Sequence, residues 1–358
     1  MNLRLGRFGK QESACAVGLA ALVSGVFSVN VGDTFARGNL CYAATAAGVL
    51  LSLLLLHLLD RAMVRLGARE LADLLSGGLR FLALPLALGL VLSAVLPLFR
   101  FTLAMERYIY VEADYVPVVL YLLPVLFIMV LCGMECIARM GKLLLIPAAL
   151  ALALTLLLAS PAFAVHHLFP LFSPGFPAFL EQTGSALLRF LAPGLALFAV
   201  GKGCQGRKNT LGGVDRGLLL GGAGAALLHL GLGLTFFGPD MASMTAPVYC
   251  MTMAARQERL GLRLDVLVLF LWVAAGLVAA AFYLYAAALL LCRTMGVEDI
   301  RPVGALLTLL CVGLVLLFNF DSDTVLSAVR LIYRRGYLLL ALPALLLWGR
   351  SFLYRRRP

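Results

Sequence analysis

Ten runs of apolar residues follow one another along this chain, at about 11–30, 40–59, 79–99, 116–134, 143–160, 186–203, 217–237, 264–292, 302–319 and 336–354. Each is close to the ~20 residues a helix needs to cross the hydrocarbon core of a bilayer. Inside lipid every backbone N–H and C=O must find a partner within the protein, and a helix provides it locally. The expected fold class is therefore all-α: a polytopic membrane protein of about ten transmembrane helices. With 62% hydrophobic and 13% charged residues in a chain of 358, little is left over for a separate aqueous domain.

The formal net charge of +11 invites a nucleic-acid reading. The basic residues, however, are scattered between the apolar runs and form neither a basic helix nor an RNA-binding signature. No nucleic-acid partner is expected; the excess fits topology signals and contact with an anionic lipid bilayer. Placing both termini in the cytoplasm gathers most of the Lys and Arg there, among them Arg4, Arg7, Lys10, Arg61, Arg65, Arg69, Lys202 and Arg350. Arg100, Arg107, Arg189, Arg256, Arg259 and Arg263 then fall outside. Both ends on one side require an even number of spans. The opening MNLRLGRFGK has no small-residue cleavage site, so the first run is expected to stay as a helix.

Catalytic and metal-binding chemistry find little support. The eight cysteines form no C-x-x-C and fall mostly within or beside apolar runs, where Cys packs as a small residue. His57, His166, His167 and His229 have no metal-ligand spacing, and His166-His167 suits a solvated loop. There is no Ser/His/Asp set, glycine loop for phosphate, or pair of acids in one span. The expectation is a non-enzyme without cofactor or metal.

Two of the runs carry helix-weakening residues at corresponding places. Ala186–Val200 holds Pro193 beside Gly194, and the first run holds Ser24-Gly25 and then Ser28 to Asn30. Proline removes a backbone donor and clashes with the preceding turn, while glycine loosens the helix. Ten spans divide as five plus five, and an odd number per unit inverts the second unit in the membrane. This frames a single membrane domain over 1–358, with a first five-helix repeat in 1–160 and an outer loop plus second repeat in 161–354. Paired interrupted segments in two such halves point to a mid-membrane binding site. Two long outer segments, 161–185 and 238–263, are candidates to cover it, and the second suits a short interfacial helix within APVYCMTMAARQERLGLR.

Several stretches resemble the B subunits of spore germination receptors. GMECIARMGKLLLIPAALAL (133–152) carries the family's G-x-E-x-x-A-R pattern at Gly133, Glu135, Ala138 and Arg139. HHLFPLFSPGFPAFLEQTGSALLRF (166–190) is similar to its outer loop through Leu168, Pro170 and Leu171. ERLGLRLDVLVLFLWVAAGLVAAAFYLYAAALLL (258–291) resembles its most recognisable piece, through Arg263, Asp265, Trp272, Gly276 and Tyr283 to Ala287. The family belongs to the amino-acid/polyamine/organocation superfamily. The resemblance implies a LeuT-like 5+5 inverted repeat, broken helices 1 and 6, and a germinant pocket between these and helices 3 and 8. It also implies a place in the spore inner membrane beside a larger membrane subunit and a lipoprotein. Where relatives often have Gly-Glu in the sixth helix, this chain has Ala192-Pro193.

An amino-acid zwitterion needs helix N–H groups for its carboxylate, and carbonyls or hydroxyls for its ammonium. Candidates are Ser24, Gly25, Val26, Phe27 and Ser28 in the first run and Leu191, Ala192 and Gly194 in the sixth, with Leu90 and Ser93 from the third. Gly276, Ala279, Phe282 and Tyr283 from the eighth close the apolar side. With almost no charge among them, the preferred ligand is a small apolar amino acid acting as germinant. An amino-acid or polyamine secondary transporter is the alternative, though no carboxylate within the spans serves proton coupling. Glu135 and Arg139, four apart, are expected to pair on one helix face.

Overall fold

The computed structural model describes residues 7–28, 40–75, 77–108, 115–171, 175–204, 207–236, 247–254, 264–318 and 338–353. Within them the chain forms twelve α-helices. They are α1 (Lys10–Ser28), α2 (Cys41–Arg65), α3 (Leu71–Leu74), α4 (Ala83–Tyr108), α5 (Tyr115–Cys132), α6 (Met134–Ala159) and α7 (Phe176–Ala199). They continue with α8 (Arg207–Thr235), α9 (Pro247–Ala254), α10 (Leu264–Met295), α11 (Ile300–Phe318) and α12 (Leu338–Leu353). Helices α2, α4, α6, α8, α10 and α11 are long and apolar enough to cross a membrane, and α5 and α12 contribute shorter apolar spans. Helices α1 and α7 complete the set of ten and lie at its centre.

The division between lipid and core follows from exposure. Leu50 and Leu54 of α2, Tyr121 and Ile128 of α5, Leu143, Ile146, Leu150 and Leu157 of α6, and Leu306 and Leu309 of α11 are large apolar side chains left exposed. They form the lipid-facing belt. On α10 such exposure is confined to the two ends, at Leu267 and Phe270 and at Met295, and its side chains from Ala279 to Leu290 are buried.

The helix pairings come in equivalent sets when the first five spans are exchanged for the last five. Helix α1 packs on α8 as α7 packs on α2, α1 on α6 as α7 on α12, and α6 on α10 as α12 on α4. The pairs α4–α10, α2–α8 and α5–α11 map onto themselves. Such pairing is what an inverted repeat of five helices demands.

Small residues bring the central helices together, since without a hydrophobic drive in lipid close backbone packing holds helices. Gly213, Gly217 and Gly221 repeat every fourth residue along α8 and face α1. A Cβ on Gly217 would meet the carbonyl oxygen of Ala14 at 2.6 Å, and one on Gly221 would run into that of Gly18.

Helix α7 runs unbroken through Pro193-Gly194 and α1 through Ser24-Gly25, whereas the further interruption expected at Ser28 to Asn30 starts at the last residue of α1 and otherwise lies outside the described residues. Gly25 faces Ala225 of α8, leaving no space for a Cβ, and Gly194 receives Leu56 of α2 in the same manner. Both glycines are notches for a neighbouring helix. Pro193 gives up one backbone bond, but its turn is buried, with Leu191, Ala192 and Leu195 at 0 to 1% exposure, and surrounding helices hold it in place.

One end of the bundle is fastened by charge. Glu70, 1% exposed, precedes α3 and takes Lys202 at 2.8 Å on one oxygen and Arg293 on the other. Lys202 also reaches Asp73 at 3.1 Å, Arg350 donates to the Leu74 carbonyl at 3.1 Å, and the Phe8 N–H donates to the Gly203 carbonyl at 3.3 Å. Helices α3, α10 and α12, the α7–α8 turn and the chain before α1 are thus tied together. Glu135 and Arg139 pair on the exposed face of α6, as expected. At the opposite end, the loop after α6 caps α8, where the Ala164 N–H and His167 Nδ1–H both donate to the Leu234 carbonyl, at 2.8 and 3.0 Å.

Candidate functional site

A cavity of about 40 Å³ lies away from the charged clamp, among α1, α4, α9 and α10. It exceeds the roughly 10–15 Å³ that a single water requires. The short helix α9 contributes Pro247, Val248, Tyr249 and Thr252, and α10 contributes Val268, Leu269 and Trp272. Val26 and Phe27 from the end of α1, and Arg100 and Ala104 from α4, complete the lining. The wall is mostly apolar. Arg100 is the one formal charge among the described lining residues, and its guanidinium carbon sits 5.8 Å from the centroid of Phe99. Trp272 is 3% exposed and its indole N–H has no acceptor among the described residues. An apolar body carrying an acceptor group would satisfy that donor while filling the cavity.

Of the residues singled out from sequence, Val26 and Phe27 line this cavity. Gly276 sits behind Phe27, whose Cε2 lies 3.7 Å from where a Cβ on that glycine would be. The Ser24 hydroxyl lies 3.2 Å from that of Tyr283, a buried link between α1 and α10. Leu90 and Ser93 are buried on α4, with the Ser93 hydroxyl donating to the Gly89 carbonyl at 2.9 Å. Leu191, Ala192 and Gly194 are packed within α7, Ala279 and Phe282 within α10, and the Phe282 and Tyr283 ring centroids are 5.9 Å apart. Ser28 ends α1, and its side chain lies outside the described residues, as do those of Arg263 and Asp265.

Sequence reasoning missed Arg100, Ala104 and the α9 residues as lining, because the cavity depends on α9 folding back against α4. It also missed a polar group on the other side of α1. His229 of α8 is 1% exposed, with Nε2 3.1 Å from the Gly25 carbonyl and Nδ1 2.7 Å from the Thr45 hydroxyl. A carbonyl only accepts, so Nε2 carries a proton, and in the neutral ring Nδ1 accepts from Thr45. The Cys41 thiol lies 3.8 Å from the same Nδ1. Arg189 of α7, 8% exposed, is within electrostatic reach of both Cys41 and His229.

No family model matches the sequence, and no curated protein matches it. The fold recurs in solved transporters. Mhp1, a nucleobase-cation-symport-1 family transporter in a closed conformation with bromovinylhydantoin bound, aligns at a TM-score of 0.70 and 15% identity, over 100% of this chain and 82% of its own. A Na+-coupled sialic acid symporter in a substrate-bound outward-open state aligns at 0.66 and 10% identity, over 98% and 91%. A manganese transporter of Eremococcus coleocola, in complex with an aromatic bis-isothiourea compound, aligns at 0.59 and 15% identity, over 96% and 82%. Likeness at such identities carries the fold and nothing finer. The chain is accordingly an integral membrane protein with the LeuT-type fold shared by these transporters.

Proposed function

We propose that this protein is a ligand-sensing membrane subunit built on transporter architecture, taking a small, mainly apolar amino acid in the cavity beneath α9. The observation that carries this reading is the asymmetry of the bundle: a cavity toward one end and a buried ion clamp at the other. A transporter must open both ends in turn, whereas a sensor needs only two states with different affinity for the ligand. Charges as buried as Glu70 and Arg293 are costly to separate, which favours a closed clamp end. Arg65, Arg69, Lys202, Arg293 and Arg350 cluster at the clamp end, which supports taking it as the cytoplasmic face, and both termini are proposed for that side.

The resemblance to germination receptor B subunits gives the sensor its context: a germinant as ligand, and a larger membrane subunit and a lipoprotein as partners in the spore inner membrane. Ser24, Gly276 and Tyr283 adjoin the cavity lining and transmit occupancy to the core. The second reading, a secondary transporter of amino acids or polyamines, is favoured by the transporters that share the fold. Proteoliposomes decide between them. The sensor binds an apolar amino acid, moves none across the bilayer, and co-purifies with both partner subunits from its native membrane. Concentrative uptake driven by a Na+ or H+ gradient would overturn it in favour of the transporter.

A further inference from the structure

The indole N–H of Trp272 is a buried donor with no acceptor among the described residues, and it stands in the wall of the cavity beneath α9. A tryptophan buried this deeply ordinarily finds a partner for that group, because an unmade hydrogen bond away from water is costly. The carbonyls of α10 serve the helix itself, so the partner has to come from outside it. Trp272 sits where the cavity closes: Gly276, one turn further along α10, has Phe27 packed against it.

The rest of the polar lining leans the same way. Arg100 of α4 brings a positive charge to the same cavity. A guanidinium carries five N–H donors in a planar fork, so it can hold a ligand carboxylate alongside any other acceptor it serves. None of the described lining residues is acidic. The other side-chain polar groups of the wall are the hydroxyls of Tyr249 and Thr252, and Thr252 already donates to the Tyr249 carbonyl at 2.7 Å. Donors and positive charge thus outweigh acceptors in a wall that is otherwise apolar.

We infer that Trp272 and Arg100 together read the carboxylate of the ligand, while its apolar body packs against Val26, Val268 and Leu269 and its ammonium is dispensable. The ligand class is then the small aliphatic monocarboxylates, of which an apolar amino acid is one member. Trp272 is the residue that sets this specificity, through one charge-assisted hydrogen bond that selects acids over amines. The inference rests on the cavity beneath α9 being the ligand site, and it names the group by which that site chooses.

The test is thermal unfolding of the full purified chain, titrated with valine, with isovalerate, which lacks the ammonium, and with isobutylamine, which lacks the carboxylate. Valine and isovalerate raise the Tm of the wild type saturably, as binding to the folded state alone requires, and isobutylamine does not. Trp272→Phe keeps the ring and removes the donor, so the half-saturating concentration of both acids rises about tenfold or more. Arg100→Gln weakens the response to both acids as well. A response to isovalerate without one to valine keeps the inference and removes the amino acid from the proposed function. Isobutylamine matching valine while isovalerate is silent would overturn the inference and leave the cavity as an amino-acid site, provided Ala104→Leu blocks the response. Acid responses that are the same in wild type and Trp272→Phe would overturn it too. Silence of all three compounds, or responses that Ala104→Leu leaves intact, would overturn both the inference and the site on which it rests.

Discussion

The hydroxyls of Ser24 and Tyr283 meet at 3.2 Å, and through them α1 of the first half holds α10 of the second. Both residues are buried, so the contact is sheltered from competing water. A buried neutral hydrogen bond contributes about 0.5–1.5 kcal/mol. Ser24→Ala and Tyr283→Phe, made singly and together, are expected to show a coupling energy of that size in equilibrium unfolding. Strict additivity would mean that the two hydroxyls do not interact.

The α1–α8 seam makes a contrasting pair of predictions. Gly221→Leu places a branched side chain against the backbone of Gly18, which cannot yield, so monodisperse folded protein is lost on size exclusion. Gly276→Ala meets only Phe27 at an ordinary 3.7 Å and replaces glycine within a helix. It is expected to leave Tm unchanged or to raise it, gaining up to about 0.5–1 kcal/mol.

The ion clamp divides unevenly between its members. Glu70 is 1% exposed and Arg293 11%, whereas Lys202 is 40% exposed. Glu70→Gln leaves the buried Arg293 charge without its partner and is expected to cost about 3–5 kcal/mol. Lys202→Met removes a solvent-screened cation and should cost about 1 kcal/mol or less. Denaturation of the two variants side by side checks the order, which would reverse if Lys202 were the principal counter-charge.

What the sequence disclosed depended on the range of the interactions involved. Run length and spacing marked the spans because pairing of the backbone in lipid is a local requirement. The Glu135–Arg139 pair was visible for the same reason, being one helical turn apart. Pro193-Gly194 and Ser24-Gly25 pointed to breaks, but local propensity was outweighed by Leu56 and Ala225 packing into the two glycines. The clamp joins Glu70 to Lys202 and Arg293 across the length of the chain, and no local pattern announces such a pair. Arg189 was counted as an outer-side charge, yet α7 carries it into the bundle. The Gly213, Gly217, Gly221 series was a legible signal for the α1–α8 contact, since small residues at every fourth position mark close helix packing.

Whether the cavity beneath α9 is the ligand site is tested most directly by titrating apolar amino acids against the purified wild type and Ala104→Leu, with thermal stability as the readout. Ala104 lines the cavity and is 3% exposed, so the larger side chain occupies the space a ligand would take. The account predicts saturable stabilisation of the wild type by a small apolar amino acid, and none in a folded Ala104→Leu protein. Undiminished stabilisation of Ala104→Leu would place the ligand elsewhere and contradict it.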